Sequence, residues 1–454
     1  MVKQLLAVLA LWLAGPACAL QPCRIEVVDA ENGWPVPLVE LTTTHNVRFV
    51  TDNAGVVAFD LPELMGVETW LSVEGSGYSV AEDGFGYRGV RLTPRPGETR
   101  TVRVDRALPA KRLGRITGAG LFAESQKLGR ELDWREQRVV GCDSVQNALH
   151  NGRLYWGWGD TALPGYPLGL FHMTGATTAA RPLGSFEPPV RLRYDYVADQ
   201  RGAPRAVAPL PGDGPTWLGG YASLPDAQGK NHLVACYAKI RPPLEAYETG
   251  LCVWNQQNQV FEKLRRLWTK SEAEPTPPPA PTGHAALWRD PSGADLLLFG
   301  DPLPSLSCPA SFEAWSDPAT WKILEPQVAV ATRAGGQRVN PHRGAIAYSG
   351  YRQKWVAVFT QQGGEASLLG EIWYAEADSP LGPWGDAVHV ATHPNYTFYN
   401  PQLHPEFTGP ESPVLLFEGT YTHTFSGNPR PTARHDYNQV LYRLDLDELA
   451  AGGK

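Results

Sequence analysis

The chain has 454 residues, with 40 Lys and Arg against 47 Asp and Glu, and a formal net charge of -7. That balance argues against a nucleic-acid binder, which normally presents a basic face. With 46 Gly, 41 Pro and 15 Trp, the composition suits many tight turns and aromatic-filled sheets better than a helical bundle, and the length allows about two or three domains.

In chain order, residues 1–19 read as an export signal. Lys3 supplies the positive start, Leu5 to Ala14 a short apolar core, and Ala17-Cys18-Ala19 a small-x-small cleavage pattern. The core is too short to span a bilayer, and no later segment is long and apolar enough to be a membrane span. A secreted or periplasmic protein is the expectation. Cleavage would leave Cys23, Cys142, Cys236, Cys252 and Cys308, an odd set in which at least one thiol is free or pairs between chains. Cys236 and Cys252 fall on neighbouring predicted strands, where a bridge and two buried thiols are both open readings. The absence of CxxC argues against structural zinc.

Residues 22–106 carry short alternating runs: RIEVVDA, VPLVELTTT, VRFVTD, VVAFDL, TWLSVEG and TRTVRVD. The Asp52-Asn53-Ala54-Gly55 stretch supplies hairpin-turn chemistry. Such strands predict a small β-sandwich. Residues 107–140 form a lead-in, with a helical spacing of Leu128 and Leu132 within Glu124 to Gln137.

From residue 141 to 449 one pattern recurs five times: an apolar run ending in a polar residue, then a second run. The first runs are GRLYWGWGDT, NHLVACYAKI, ADLLLFGDPL, RQKWVAVFTQQ and SPVLLFEGTY. The second begin at Tyr166, Tyr247, Cys308, Gly370 and Tyr437. Repeated short-strand units that cannot bury their own faces predict propeller blades. The fold class expected is therefore all-β, a five-bladed β-propeller preceded by a small β-sandwich. The proline-rich EPTPPPAP from Glu274 to Pro281 reads as a stiff loop between the second and third units.

In a blade the innermost strand starts on the same face where the second strand ends. That rule gathers Asp143, Thr216, His284, His342 and Asn400 with Asp160, Lys239, Asp301, Gln361 and Glu418 at one mouth. Asp143, Asp160, Asp301 and Glu418 are the candidate catalytic acids, because glycoside cleavage needs a proton donor and a second carboxylate and no cofactor. The alternative use of each acid is to satisfy turn or strand-end amides. Trp158, Tyr399, Asn400 and Tyr421 are candidate sugar contacts, with aromatic faces for ring C–H groups and amides for hydroxyls. His284, His342, Arg343 and Arg434 complete the substrate-binding set, the arginines suiting an acidic group or a surface ion pair. No HExxH or GxSxG motif is present. No cofactor is expected, although the histidines and acids leave room for a channel cation such as calcium.

Two resemblances accompany these readings. TDNAGVVAFDLP followed by GSGY resembles the transthyretin-like or carboxypeptidase-regulatory-like sandwich, which implies an accessory or spacer module. GCDSVQNALHNGRLYWGWGDT, NPHRGAIAYSGYRQKWVAVF, GEIWYAEADSPLGPW and YNPQLHPEF together resemble five-bladed propellers of the glycoside hydrolase type. The first is most similar to a bacterial domain family that includes endo-D-arabinanases, and the third to the blade motif of family 43 arabinanases and xylosidases. The resemblance implies a polysaccharide or oligosaccharide substrate and carries over Asp143 in CDSVQ and Asp160 in WGWGDT as funnel acids. The chain departs from the pattern from Tyr166 to Met173, after Thr178 and in NPRPTARHDYN. A non-catalytic glycan-binding or cell-surface propeller is the alternative to a hydrolase.

Overall fold

The computed structural model describes residues 21–135, 137–169, 172–325, 330–331, 338–365 and 368–451. The expected export signal at 1–19 lies outside them. Among the described residues no helix is long and apolar enough to cross a membrane.

Among the described residues, five antiparallel four-stranded sheets follow one another from residue 146 onward. The first runs Gln146–His150, Arg153–Trp158, Thr174–Ala179, Asp195–Tyr196. The second runs Thr216–Pro225, Asn231–Arg241, Glu245–Asn255, Val260–Thr269, and the third His284–Arg289, Asp295–Gly300, Pro304–Pro309, Lys322–Ile323. The fourth is Pro341–Ser349, Lys354–Gln361, Glu371–Ala377, Val388–Thr392. The fifth takes Thr397–Leu403, Val414–Thr422 and Asn438–Asp445, and then Lys111–Arg115 from the segment that precedes the first sheet. First strands of successive sheets pack on one another, first to second through fourth to fifth. The fifth returns to the first through Gln402 Nε2, which donates to Asn147 Oδ1 at 3.1 Å, and Asn400 Nδ2, which donates to Ser144 Oγ at 2.6 Å. Sheets arranged radially about their first strands, with the last sheet completed by a strand from ahead of the first, define a β-propeller.

All five apolar first runs are second strands. They are legible because both faces are covered by neighbouring sheets: Val414–Thr422 is buried at every position. Two of the following runs differ from expectation. The strand after Tyr166 begins only at Thr174, the preceding residues forming turns, with 170 and 171 outside the described residues. The run from Cys308 is a strand end followed by a helix, Phe312–Ser316, capped by Ser311 Oγ. Phe312 and Trp315, three apart, share a helical face there. The helix expected across Glu124 to Gln137 is shorter, Ala123–Lys127.

The N-terminal unit is one eight-stranded sheet in the order Arg48–Val50, Val39–Thr43, Thr69–Gly75, Tyr78–Ser79, Thr99–Arg106, Cys23–Asp29, Val56–Phe59, with Gly89–Leu92 also paired to Thr69–Gly75. It encloses Ile25, Val27, Leu41, Phe59, Leu71 and Val104. The Cys23 strand alternates buried and half-buried positions, the period-two signature of a sheet with one face on a core.

This unit is locked to the propeller. The Arg112 guanidinium donates to the carbonyls of Pro37, Leu38 and Ser76. Asn53 Nδ2 donates to Arg115 O at 2.7 Å while its Oδ1 accepts from Arg115 N at 3.0 Å. The Asp52–Gly55 turn predicted from sequence forms, with Gly55 at φ +66°, and its second purpose is to present Asn53 to that strand.

Cys236 lies opposite Leu251, and Cys252 opposite Ala235. Their side chains therefore leave opposite faces of the sheet, which overturns the bridge between them. All five described cysteines are reduced and buried.

Candidate active site

The strand-end rule places Asp143 and Asp160 side by side. Gly159 N donates to Asp143 O at 2.8 Å, and Asp143 Oδ1 occupies the space beside Gly159, 2.3 Å from where a Cβ would stand. The Asp143 carboxylate accepts from Tyr399 Oη at 2.5 Å on Oδ2 and also from the Tyr437 hydroxyl and the Asp160 backbone N–H. Burial and the neighbouring Asp160 charge raise the Asp143 pKa to about 6, against the pull of those donors. Asp160 is also raised by burial, and accepts one bond, from Trp217 Nε1 at 3.3 Å. Asn400, in the left-handed region at φ +52°, sits next to Tyr399 and reaches Ser144. Tyr437 and Trp217 complete this group. The first opens a run recognised only as a strand, and the second follows Thr216, a residue the strand-end rule had placed at the mouth.

Asp301 lies between the third and fourth sheets. Its Oδ1 accepts from Gly344 N at 2.8 Å and its Oδ2 from Arg343 Nη1 at 2.5 Å. Both oxygens thus clamp the next sheet. His284 and His342 share this neighbourhood. Burial lowers the pKa of each, and the Asp301 charge partly offsets that. Lys239 is buried, and its ammonium donates to Gly214 O at 2.8 Å, Leu210 O at 3.2 Å and Thr216 Oγ1 at 3.2 Å.

Four expected site residues sit elsewhere. Glu418 is fully buried in mid-strand, opposite Gln402 rather than at the strand's end, because Val414–Thr422 continues four residues beyond it. Its Oε1 meets His404 Nε2 at 2.7 Å, and its Oε2 has no hydrogen-bond partner among the described residues. His404 Nδ1 faces Glu406 Oε1 at 3.1 Å. Burial pushes the Glu418 carboxyl up, and the two carboxylates push His404 up to about 9 despite its burial. Trp158 is a core residue with no exposed surface, stacked on Trp156. Tyr421 stacks on Tyr396 with centroids 4.6 Å apart and lines a cleft against the N-terminal sheet. Arg434 pairs with Glu124 at 2.6 Å. Among the described residues no cluster of three or more His, Cys, Asp or Glu side chains is arranged to ligate a metal ion.

No protein-family model matches the chain. No curated protein matches it either. Solved structures similar to it include an exo-1,5-alpha-L-arabinanase from a bovine ruminal metagenomic library, at 11% identity and TM-score 0.38, over 68% of this chain and 94% of that one. The GH43 endo-arabinanase from Bacillus licheniformis aligns at 10% identity and TM-score 0.36, over 67% and 93%. An N-acetylgalactosamine deacetylase from F. plautii aligns at 11% identity and TM-score 0.38, over 74% and 94%. The propeller is defined by the chain's own strand order, independently of these distant likenesses.

Proposed function

We propose that the chain is an exported carbohydrate-active enzyme, a glycoside hydrolase that cleaves a polysaccharide between Asp143 and Asp160. The observation that carries this reading is the pair itself: two adjoining, half-buried acids, both raised by burial, with different hydrogen-bond surroundings. Asp143 is ringed by two phenols and an amide that favour its charged form, so it serves as base or nucleophile. Asp160, its carboxyl also raised by burial and met by a single N–H donor, serves as the acid toward the leaving oxygen. Tyr399 and Tyr437 orient the base, and Asn400 and Trp217 lie where sugar hydroxyls and ring faces would be met. The expected signal at 1–19 supports export to the periplasm or medium, and residues 22–106 are assigned as a transthyretin-like accessory domain.

Incubation of purified protein with plant, algal and bacterial polysaccharides, read by mass spectrometry, tests the reading. Asp160→Asn is expected to lower product release by about 10²–10⁴-fold with an unchanged circular dichroism spectrum. Equal release by the variant would end the assignment. A non-catalytic glycan-binding propeller is favoured by one observation, the saturation of Asp143 by its three donors. It predicts glycan retention, no product, and no effect of Asp160→Asn.

A further inference from the structure

We propose that the cleft between the N-terminal sheet and the propeller is a second glycan-binding site, which holds a neutral oligosaccharide chain outside the acidic mouth. The choice of ligand rests on the glycan reading above; the site itself does not. The cleft encloses about 850 Å³, within the usual range of about 300–1,000 Å³ for small-ligand sites. Its N-terminal wall presents Thr42, Thr44, Asn46 and Ser72, and its propeller wall Asn395 and Asn428. These hydroxyls and amides both donate and accept, as a polyhydroxylated chain requires.

Charge in the cleft is largely cancelled. Arg48 pairs with Glu40, and Arg88 with Glu82; Glu74 and Arg430 lie on opposite walls, one of each sign. A neutral ligand fits that balance better than a polyanion. Beside Arg88 stands a tip carrying Phe85 and Tyr87, 89% and 66% exposed. It is held in shape by Asp83 Oδ1, which accepts the Phe85 N–H at 2.8 Å and the Tyr87 N–H at 3.0 Å. Two exposed aromatic side chains on a turn that leads directly into the cleft-lining Arg88 offer platforms for sugar C–H faces. The walls cannot drift apart, because Arg112 and Asn53 bond across the junction. Binding there meets a preformed site and saves the cost of ordering it.

The test uses the full chain in an Asp160→Asn background, on a glycan array and by affinity electrophoresis in gels cast with individual polysaccharides. Thr44→Trp, at an exposed position, fills the cleft, and Tyr87→Ala removes one platform. Retention of at least one glycan, weakened by about tenfold or more in both variants, is expected, with short-oligosaccharide hydrolysis by the Thr44→Trp chain carrying native Asp160 unchanged. No retention by the parent, or equal retention by both variants, overturns the cleft site while leaving hydrolysis at the mouth to stand or fall by its own assay. Cleft-dependent retention in a protein that releases no product supports the cleft and sinks the hydrolase reading.

Discussion

At the scale of single residues, the acids divide by what their oxygens touch. Asp301 spends both on the fourth sheet, Glu418 spends one on His404 inside the protein, and Asp143 holds donors that a reacting carboxylate would also want. The folded chain binds the Asp143 proton more tightly than the unfolded chain, where an aspartate titrates near about 3.9. The stability this carboxyl lends is therefore full below that value and is lost as pH rises through about 6. Asp143→Asn should flatten the fall in thermal midpoint between about pH 4 and pH 7; a variant whose midpoint tracks the parent's across that window would contradict the burial argument. As base or nucleophile the residue must be ionised, so kcat/KM should climb through about pH 6, and a profile flat from pH 5 to 7 would remove Asp143 from that role. His404 titrates with the same sign of shift. Its contribution is full below about 6.5 and is lost as pH rises through about 9. His404→Ala leaves Glu418 and Glu406 without their cation, at an expected cost of about 3–5 kcal/mol. Urea titration measures it, with partial recovery expected on adding Glu418→Gln; a loss below about 1 kcal/mol would show the trio to be uncharged.

At the scale of elements, legibility followed burial. Second strands announce themselves because both faces are apolar, and the strand-end rule put Asp143 and Asp160 at one mouth, where the structure sets them side by side. The same rule misplaced Glu418 because SPVLLFEGTY gives no sign that the strand runs on to Thr422. Trp158 was misread because an aromatic beside an acid looks the same whether it faces a funnel or Tyr194. The least legible strand is Lys111–Arg115. KRLGR reads as an exposed basic stretch, yet all five residues are buried, since backbone carbonyls and carboxylates from distant parts of the chain receive Lys111 and Arg112. No local pattern encodes such partners. The strand also depends on Asn53, whose amide answers both polar groups of Arg115 and occupies the space beside Gly114, at φ +137°. Asn53→Ala leaves the N–H and C=O of Arg115 without these bonds, an expected loss of about 2–4 kcal/mol. Equilibrium denaturation checks this, and a change below about 0.5 kcal/mol would mean that the turn does not hold the fifth sheet.

At the scale of the whole molecule, the question is whether the N-terminal sheet and the propeller are two folding units or one. Chains of this size commonly unfold in separate steps, domain by domain. Here the fourth strand of the fifth sheet comes from the segment joining the two parts, so the ring closes only when that segment is in place. The segment is in turn held from the N-terminal side: three carbonyls of that unit receive the buried Arg112 guanidinium, and Tyr78 Oη accepts the Arg112 backbone N–H at 3.1 Å. His435 Nε2, from the last inter-strand loop, meets Thr51 O at 3.2 Å. Unfolding the N-terminal unit alone would strip a buried guanidinium of its three carbonyl acceptors, a cost of several kcal/mol borne by the propeller. Opening the ring alone would strip Asn53 and Arg112 of their places. Each part thus raises the free energy of the other's unfolding, and the two should melt together. Differential scanning calorimetry is expected to show one transition, with the calorimetric and van't Hoff enthalpies close to one another. Arg112→Ala should split it, the N-terminal unit melting first because it has the smaller core. Two resolved transitions in the native chain would refute the coupling, and with it the fixed walls on which the cleft between the two parts depends.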